Sequence, residues 1–280
     1  MTLSRRQVAA LLAARDVRPS RALGQNFVAD PNTVRRIARL AGVGPGDRVV
    51  EIGAGVGSLT LALADTGASV TAVEIDPRLV EVLSEVVSGR GVRVVHGDAT
   101  TMDWEALLGG GPGGWALVAN LPYNIATPLI LGLLDSVPAI TRMLVMVQRE
   151  VGERLAAGAG DPEYGAPSVK VAYWAEASVV GRVPESVFLP RPRVESVLVS
   201  IRRRPEPAVD PSVVPPERLF AVVRAGFATR RKMLRRALAG VVEPGAFAAA
   251  GVAPEDRAES LDVAAWGRLA ATREAGVSRG

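Results

Sequence analysis

Between residues 48 and 148 the chain alternates strand-like runs with helical segments, and this alternation limits the fold more than any other feature. "RVVEIGA" (48–54), "SVTAVEI" (69–75), "VRVVHGD" (92–98), "WALVANL" (115–121) and "RMLVMVQ" (142–148) read as buried strands. Between them stand the helical segments "GSLTLALADTG" (57–67), "DPRLVEVLSEVV" (76–87) and "TPLILGLLDS" (127–136), with "LLGGGPGGW" (107–115) as a flexible loop. In the second helix Asp76 suits the N-cap and Pro77 the first helical position. Strand–helix alternation with short connections implies an α/β fold, a mostly parallel sheet with helices on both faces. Such sheets bind ligands outside the carboxyl ends of their strands, near the switch in strand order. Residues 53–57, 74–76, 97–99 and 120–123 all fall at those ends, so they are expected to converge on one crevice.

After residue 148 the pattern changes. "SVKVAYWAEASVVGRV" (168–183) reads as a strand pair and "ESVLVSIRRR" (195–204) as the last, antiparallel strand. "PEPAVDPSVVPP" (205–216) holds five prolines and reads as a linker. Residues 217–280 read as a small helical domain. The expected organisation is therefore a catalytic-type domain over 1–204, a linker over 205–216 and a helical domain over 217–280.

Composition removes several kinds of chemistry. The chain has no cysteine and a single histidine, His96. Disulfides, iron–sulfur clusters and thiolate zinc sites are excluded, and a His-rich metal site or a Ser-His-Asp triad is not supported, so no metal is expected. No apolar run reaches the roughly 18 residues that span a bilayer. The N-terminal "MTLSRRQVAALLAARDVRP" lacks a small-residue cleavage site and reads as an amphipathic helix, not a signal. Charge is unevenly spread. Residues 1–48 hold nine arginines against three acids, residues 49–200 ten basic against seventeen acidic residues, and residues 201–280 fourteen basic against nine acidic. Basic ends around an acidic middle suggest a polyanion held by the ends.

The strand ends carry specific chemistry. "EIGAGVGSL" (51–59) is a glycine-rich strand-to-helix turn in which Gly53 and Gly55 let a ligand approach the backbone. Nicotinamide-binding and methyl-donor-binding sheets share that turn. Glu74, 21 residues after Gly53, can accept both hydroxyls of a ribose. Asp98 in "GDA" (97–99) can accept from an adenine amino group, a need a dehydrogenase does not share. In "NLPY" (120–123) the Asn120 side-chain oxygen and the Leu121 carbonyl can both accept from an exocyclic amine. Two such acceptors localise the nitrogen lone pair and make it a better nucleophile. Pro122 fixes the turn, and the Tyr123 ring offers a base a stacking surface worth about 1–3 kcal/mol. "FATRRKMLRRAL" (227–238) places Arg230, Arg231, Lys232, Arg235 and Arg236 on an expected helix, with no acid between residues 218 and 242, which suits phosphate contacts.

Taken in order, these motifs resemble the small-subunit ribosomal RNA adenine dimethyltransferases, which use S-adenosylmethionine. "RALGQNFVAD" (21–30) is similar to that family's N-terminal signature, with Val28 where the family usually has Leu. "VVEIGAGVGSLT", "AVEID", "HGDA" and "NLPYNI" are similar to its successive methyltransferase motifs, and "VQREVGERLAA" (147–157), "VFLPRPRVESV" (187–197) and "FATRRKMLRRAL" to its later signatures. The resemblance spans nearly the whole chain and implies a Rossmann-like methyltransferase sheet with a small C-terminal helical domain. It implies that Asn26, Val28, Gly53, Gly55, Glu74, Asp98 and Asn120 line the cofactor site. It implies that Tyr123 and Phe188 sandwich a flipped adenine, although on its residues alone Phe188 reads as core. The implied reaction is dimethylation at N6 of two adjacent adenosines near the 3′ end of small-subunit rRNA, by a cytoplasmic, monomeric enzyme with no membrane partner.

Four rivals are weighed. The large-subunit rRNA adenine methyltransferases of macrolide resistance share the sheet, but "FATRRKMLRRAL" and "NLPY" favour the small-subunit family. A mitochondrial homologue doubling as a transcription factor calls for a presequence that is not evident. A short-chain dehydrogenase calls for Tyr-x-x-x-Lys, and the residues four after Tyr123, Tyr164 and Tyr173 are Thr127, Ser168 and Ala177. A noncatalytic assembly factor has no need of Glu74, Asp98 and an intact "NLPY".

Overall fold

The computed structural model describes residues 2–20, 24–109 and 113–272. The centre of the expected glycine loop (110–112), the start of the 21–30 signature (21–23) and the C-terminal residues from 273 lie outside the described residues.

The chain begins with helix α1 (Arg5–Ala14), opened by a capping box at Ser4, and a two-residue strand β1 (Phe27–Val28). Helix α2 (Pro31–Ala41) follows, with Asp30 accepting from the Thr33 amide as N-cap. The alternating core then runs β2 (Arg48–Ile52), α3 (Ser58–Ala64), β3 (Ser69–Glu74), α4 (Pro77–Val86), β4 (Arg93–His96), α5 (Trp104–Leu108), β5 (Trp115–Asn120), α6 (Ala126–Ser136) and β6 (Ile140–Gln148). Asp76 and Pro77 open α4 in the roles their sequence suggests. Helices α7 (Arg149–Ala156) and α8 (Ala166–Trp174) precede β7 (Ala175–Val183), the short β8 (Phe188–Leu189) and β9 (Ser196–Arg203). Four helices close the chain: α9 (Pro216–Ala228), α10 (Leu234–Ala237), α11 (Pro244–Ala250) and α12 (Val263–Ala271).

Seven strands form one sheet in the order β4-β3-β2-β5-β6-β9-β7. The pairs among β4, β3, β2, β5 and β6 are parallel, and β9 returns antiparallel to β6 with Gln148 opposite Ser196. The order reverses between β2 and β5, so the residues after Ile52 and the end of β5 flank the switch point. One face of the sheet is covered by Val34 and Ile37 of α2 with Leu59, Ala62 and Leu63 of α3. Leu61 and Leu83 close over Ala72 on that same face, since Ala72 stands two residues from Val70 along β3. A separate cluster joins Val8, Leu12 and Val17 to Phe27, Val56 and Leu79, which pins α1 over the start of the crevice.

Two features differ from the sequence reading. Residues 168–183 are not a strand pair: the first half is helix α8, because Val169 and Tyr173 stand four apart and both bury into a helical core. The chain also divides otherwise than at a 205–216 linker. Glu153–Ala177 belongs to the same compact unit as the chain from Arg204 on, while Met1–Gly152 and Ser178–Arg203 form the other. The proline-rich stretch is part of that helical unit, since Val214 is buried in its core and Val209 packs against it. Trp266 and Tyr164 anchor the same core, with the Tyr164 hydroxyl donating to the Leu261 carbonyl at 2.8 Å.

Within the sheet unit α7 lies close to the sheet at Gly152. A β-carbon there would sit 2.2 Å from Val197 and 2.9 Å from Val199. Gly152→Ala is therefore expected to cost about 1–3 kcal/mol of stability through overpacking. A thermal melt of the variant checks this; an unchanged midpoint would mean that α7 can move off β9 freely.

Candidate functional site

The turn after β2 builds the floor of the site. Gly55 has φ +58, and a β-carbon on it would approach the Phe27 ring to 2.8 Å. Only glycine fits both demands. Its amide donates to Glu74 Oε2 at 2.8 Å, which ties the turn after β2 to the end of β3. The other oxygen of Glu74 accepts from the amides of Ile75 and Asp76 at 2.9 and 3.0 Å. Burial pushes the Glu74 carboxyl above the usual range against those three donors.

An open cleft of about 620 Å³ lies over this turn. Asn26, Val28, Gly53, Gly55, Glu74 and Asn120 all line it, together with Glu51, Ser58, Ile75 and Pro122. Six of the residues singled out from sequence are thus brought together. Asn120 ends β5, and its Nδ2 donates to the Asn26 carbonyl at 2.8 Å. That bond uses the amide nitrogen and leaves Oδ1 as the acceptor of a residue that lines the cleft.

Three expected residues stand outside the cleft lining. Asp98 follows β4, and its Oδ1 accepts from the Thr100 hydroxyl and amide at 2.7 and 2.8 Å, bonds that hold its carboxyl below the usual range. Tyr123 is half-buried, with its hydroxyl 2.8 Å from Ser196 Oγ. Phe188 corrects the sequence expectation. It is fully buried among Val28, Val183 and Leu198, and β8 pairs with β1 so that Phe188 faces Val28 in register. Its ring is part of the core and offers no face to a base in this conformation.

The basic segment is also not one helix. α9 ends at Ala228, Arg230 to Lys232 lie in a turn, and α10 spans only Leu234–Ala237. The break is held by tertiary bonds: the amides of Leu234 and Arg235 donate to the Asp256 and Pro254 carbonyls at 2.7 and 3.0 Å. Arg230 pairs with Glu259 and Arg235 with Glu255, whereas Arg231, Lys232 and Arg236 are exposed.

One residue escaped the sequence reading. Glu51 is 2% exposed, lines the cleft, and its Oε2 has no hydrogen-bond partner; the Ser58 hydroxyl beside the same cleft is likewise unpartnered. Burial, with the Glu74 charge adding to it, pushes Glu51 to about 8. Its signal was an ionisable side chain inside an otherwise apolar strand. Two buried acids and orphaned acceptors make the cleft receptive to a cationic, hydrogen-bond-donating ligand. S-adenosylmethionine, with its sulfonium and ammonium charges, fits those acceptors. Among the described residues no group of acids and histidine could hold a metal ion, and no helix is long and apolar enough to cross a membrane.

Sheet order and glycine turn are those of a Rossmann-like enzyme, and its family match makes it a methyltransferase whose cofactor is S-adenosylmethionine. Residues 18–273 match the ribosomal RNA adenine dimethylase family, and the chain belongs to it. It is 48% identical over 274 residues to the ribosomal RNA small subunit methyltransferase A of Thermobifida fusca, covering 94% of this chain and 93% of that one. The solved structure of the 23S rRNA methyltransferase ErmE superposes with a TM-score of 0.68 at 29% identity, over 87% of this chain and 98% of that one. A dimethyladenosine transferase from Plasmodium falciparum shares the fold with a TM-score of 0.69 at 23% identity, over 86% and 94%.

Glu51 gives the cofactor-free protein a pH signature. A carboxyl raised from 4.5 to about 8 on folding binds a proton in the folded state that the unfolded chain has released between those values. Stability therefore falls as pH rises from about 5 to 8 and levels off above, at up to about 1.4 kcal/mol per pH unit from one group. Glu51→Gln is expected to flatten that slope, gaining melting temperature at pH 8 and little at pH 5. Parallel curves for the two proteins would show that the proton is held elsewhere.

Proposed function

We propose that this enzyme transfers methyl groups to the exocyclic N6 of two adjacent adenosines near the 3′ end of small-subunit rRNA, giving N6,N6-dimethyladenosine during subunit maturation. The observation that carries the reading is the Asn120 amide at the strand switch point, fixed through Nδ2 on the Asn26 carbonyl, which leaves its oxygen to accept. The 48% identity to a relative named for the small subunit supports that target over the large-subunit one, where ErmE stands at 29%.

In this reading Glu74 holds the ribose hydroxyls, Asp98 the adenine amino group, and Glu51 with Ser58 the cationic end of the cofactor. S-adenosylmethionine, when bound, supplies an electrophilic methyl on sulfur. Asn120 Oδ1 and the Leu121 carbonyl accept the two N–H bonds of the target amine, aim its lone pair along the line of attack and keep it from delocalising into the ring. Held by Glu74, Asp98 and Glu51, the cofactor would supply that methyl to the amine and take up the electron pair of the C–S bond on its sulfur. The amine is acidic while cationic and loses its proton afterwards, so no strong base is required. Positioning and exclusion of water account for much of the rate. The base is unstacked from its RNA at a cost of a few kcal/mol and rests on Tyr123. A second platform at Phe188 requires its ring to leave the core when RNA enters. Arg231, Lys232 and Arg236 contact phosphates. The enzyme works in the cytoplasm as a monomer.

Labelled cofactor offered to unmethylated small and large subunits, followed by nucleoside analysis, tests the target: dimethyladenosine in small-subunit RNA alone is expected, and label in large-subunit RNA would move the enzyme to the resistance type. Asn120→Ala is expected to lower transfer by about 10²-fold or more while RNA affinity holds; equal loss of both would remove Asn120 from the chemistry. Neutralising Arg231, Lys232 and Arg236 together is expected to flatten the slope of log affinity against log salt by about 2–3. A slope identical to wild type would make the three residues ordinary surface.

A further inference from the structure

Tyr123 sits in the turn between β5 and α6, outside any regular element. Its backbone is set by Pro122 and by the Ile125 amide, which donates to the Pro122 carbonyl at 3.2 Å. That turn sets the backbone, and the direction of the ring is left to the side chain's first torsion, which has more than one staggered well. A stacking platform needs that direction fixed, because a base gains its contact area only when it lies over the ring. The far end of the ring is where an external tether acts with the longest lever.

Ser196 provides that tether. It is the first residue of β9, is 0% exposed, and its Oγ lies 2.8 Å from the Tyr123 hydroxyl. Its own position is rigid. It stands opposite Gln148 in the antiparallel β6–β9 register, and the neighbouring Glu195 carbonyl accepts the Arg149 amide at 3.0 Å. A serine hydroxyl buried at a strand start must find a partner, and Tyr123 is the partner it has. The bond also joins two stretches far apart in sequence, the "NLPY" turn and the end of the "VFLPRPRVESV" segment.

We propose that Ser196 is a positioning residue for methyl transfer, holding the direction of the Tyr123 ring so that an entering adenine stacks with its amine over Asn120. This rests on the reading of Tyr123 as the stacking platform. Ser196 touches neither cofactor nor base and acts only through the tyrosine.

The test combines turnover with a direct view of the ring. The chain has three tyrosines, so ring-labelled tyrosine gives an NMR spectrum simple enough to assign by substitution. In the wild type the Tyr123 ring is expected to keep one direction, seen as short-range NMR contacts from the ring to the start of β9, and in Ser196→Ala to lose them. Ser196→Ala and Tyr123→Phe are each expected to lower kcat about ten-fold, the scale of one lost hydrogen bond, with cofactor affinity unchanged. The double variant is expected to turn over no slower than either single one, because both delete one bond. A role in stability alone would instead let the double variant recover kcat as it recovers its melting temperature, since no orphaned hydroxyl remains, and that result would overturn the proposal. So would ring signals unchanged in Ser196→Ala, or single losses that multiply. Tyr123→Ala separates the two levels: wild-type turnover there would dismiss the platform itself, whereas loss in Tyr123→Ala with wild-type turnover in Ser196→Ala and Tyr123→Phe would dismiss only the tether.

Discussion

The hydrogen bond from the Gly55 amide to Glu74 ties together the two central strand ends on which the cleft is built. Without it the turn after β2 would have a buried amide with no acceptor, and Glu74 would lose one of three donors that offset its burial. The bond exists only because residue 55 has no side chain: any β-carbon would meet Phe27. Phe27 in turn belongs to the cluster that holds α1 down. Glycine turn, acid, aromatic wall and N-terminal helix are therefore one mutually dependent arrangement, and the cleft inherits its shape from it.

Catalytic geometry depends on a second set of tethers of the same kind. Asn120 is oriented by Asn26, and Tyr123 is linked to Ser196. In both cases a residue of the "NLPY" turn is linked to a segment distant in sequence, before β2 or after β6. A turn of four residues cannot impose sub-ångström order on its own side chains, so the order is borrowed from the sheet.

Much of this was legible in the sequence because period and punctuation agree. The five parallel strands, the Asp76–Pro77 helix start and the convergence of Glu74 and Asn120 follow from local pattern plus the rule that ligands bind at strand ends, whereas Asn26 came only with the family resemblance. What was not legible depended on burial or on distant partners. Residues 168–174 are rich in β-branched and aromatic side chains, and only the burial of Val169 and Tyr173 in a helical core makes them a helix. Arg230 to Lys232 look helical by composition, yet carbonyls at 254 and 256 capture the amides that would continue the helix. Phe188 is flanked by prolines like a loop residue, but strand pairing with Val28 draws it inward. Glu51 was hidden in plain view, as one acid in an apolar strand, because its meaning lies in the orphaned oxygen that only three dimensions reveal.

The pairing of β1 with β8 has a consequence for biosynthesis. Phe27 and Val28 form one wall of the cleft and pair with Leu189 and Phe188, while Arg5 donates to the Ser186 and Phe188 carbonyls 181 and 183 residues further along. A chain emerging from the ribosome presents its first thirty residues long before those partners exist. The central parallel strands can assemble meanwhile, but the wall must wait until two-thirds of the polypeptide has been made. A nascent molecule of this enzyme is thus without a finished cofactor cleft until late in its own translation.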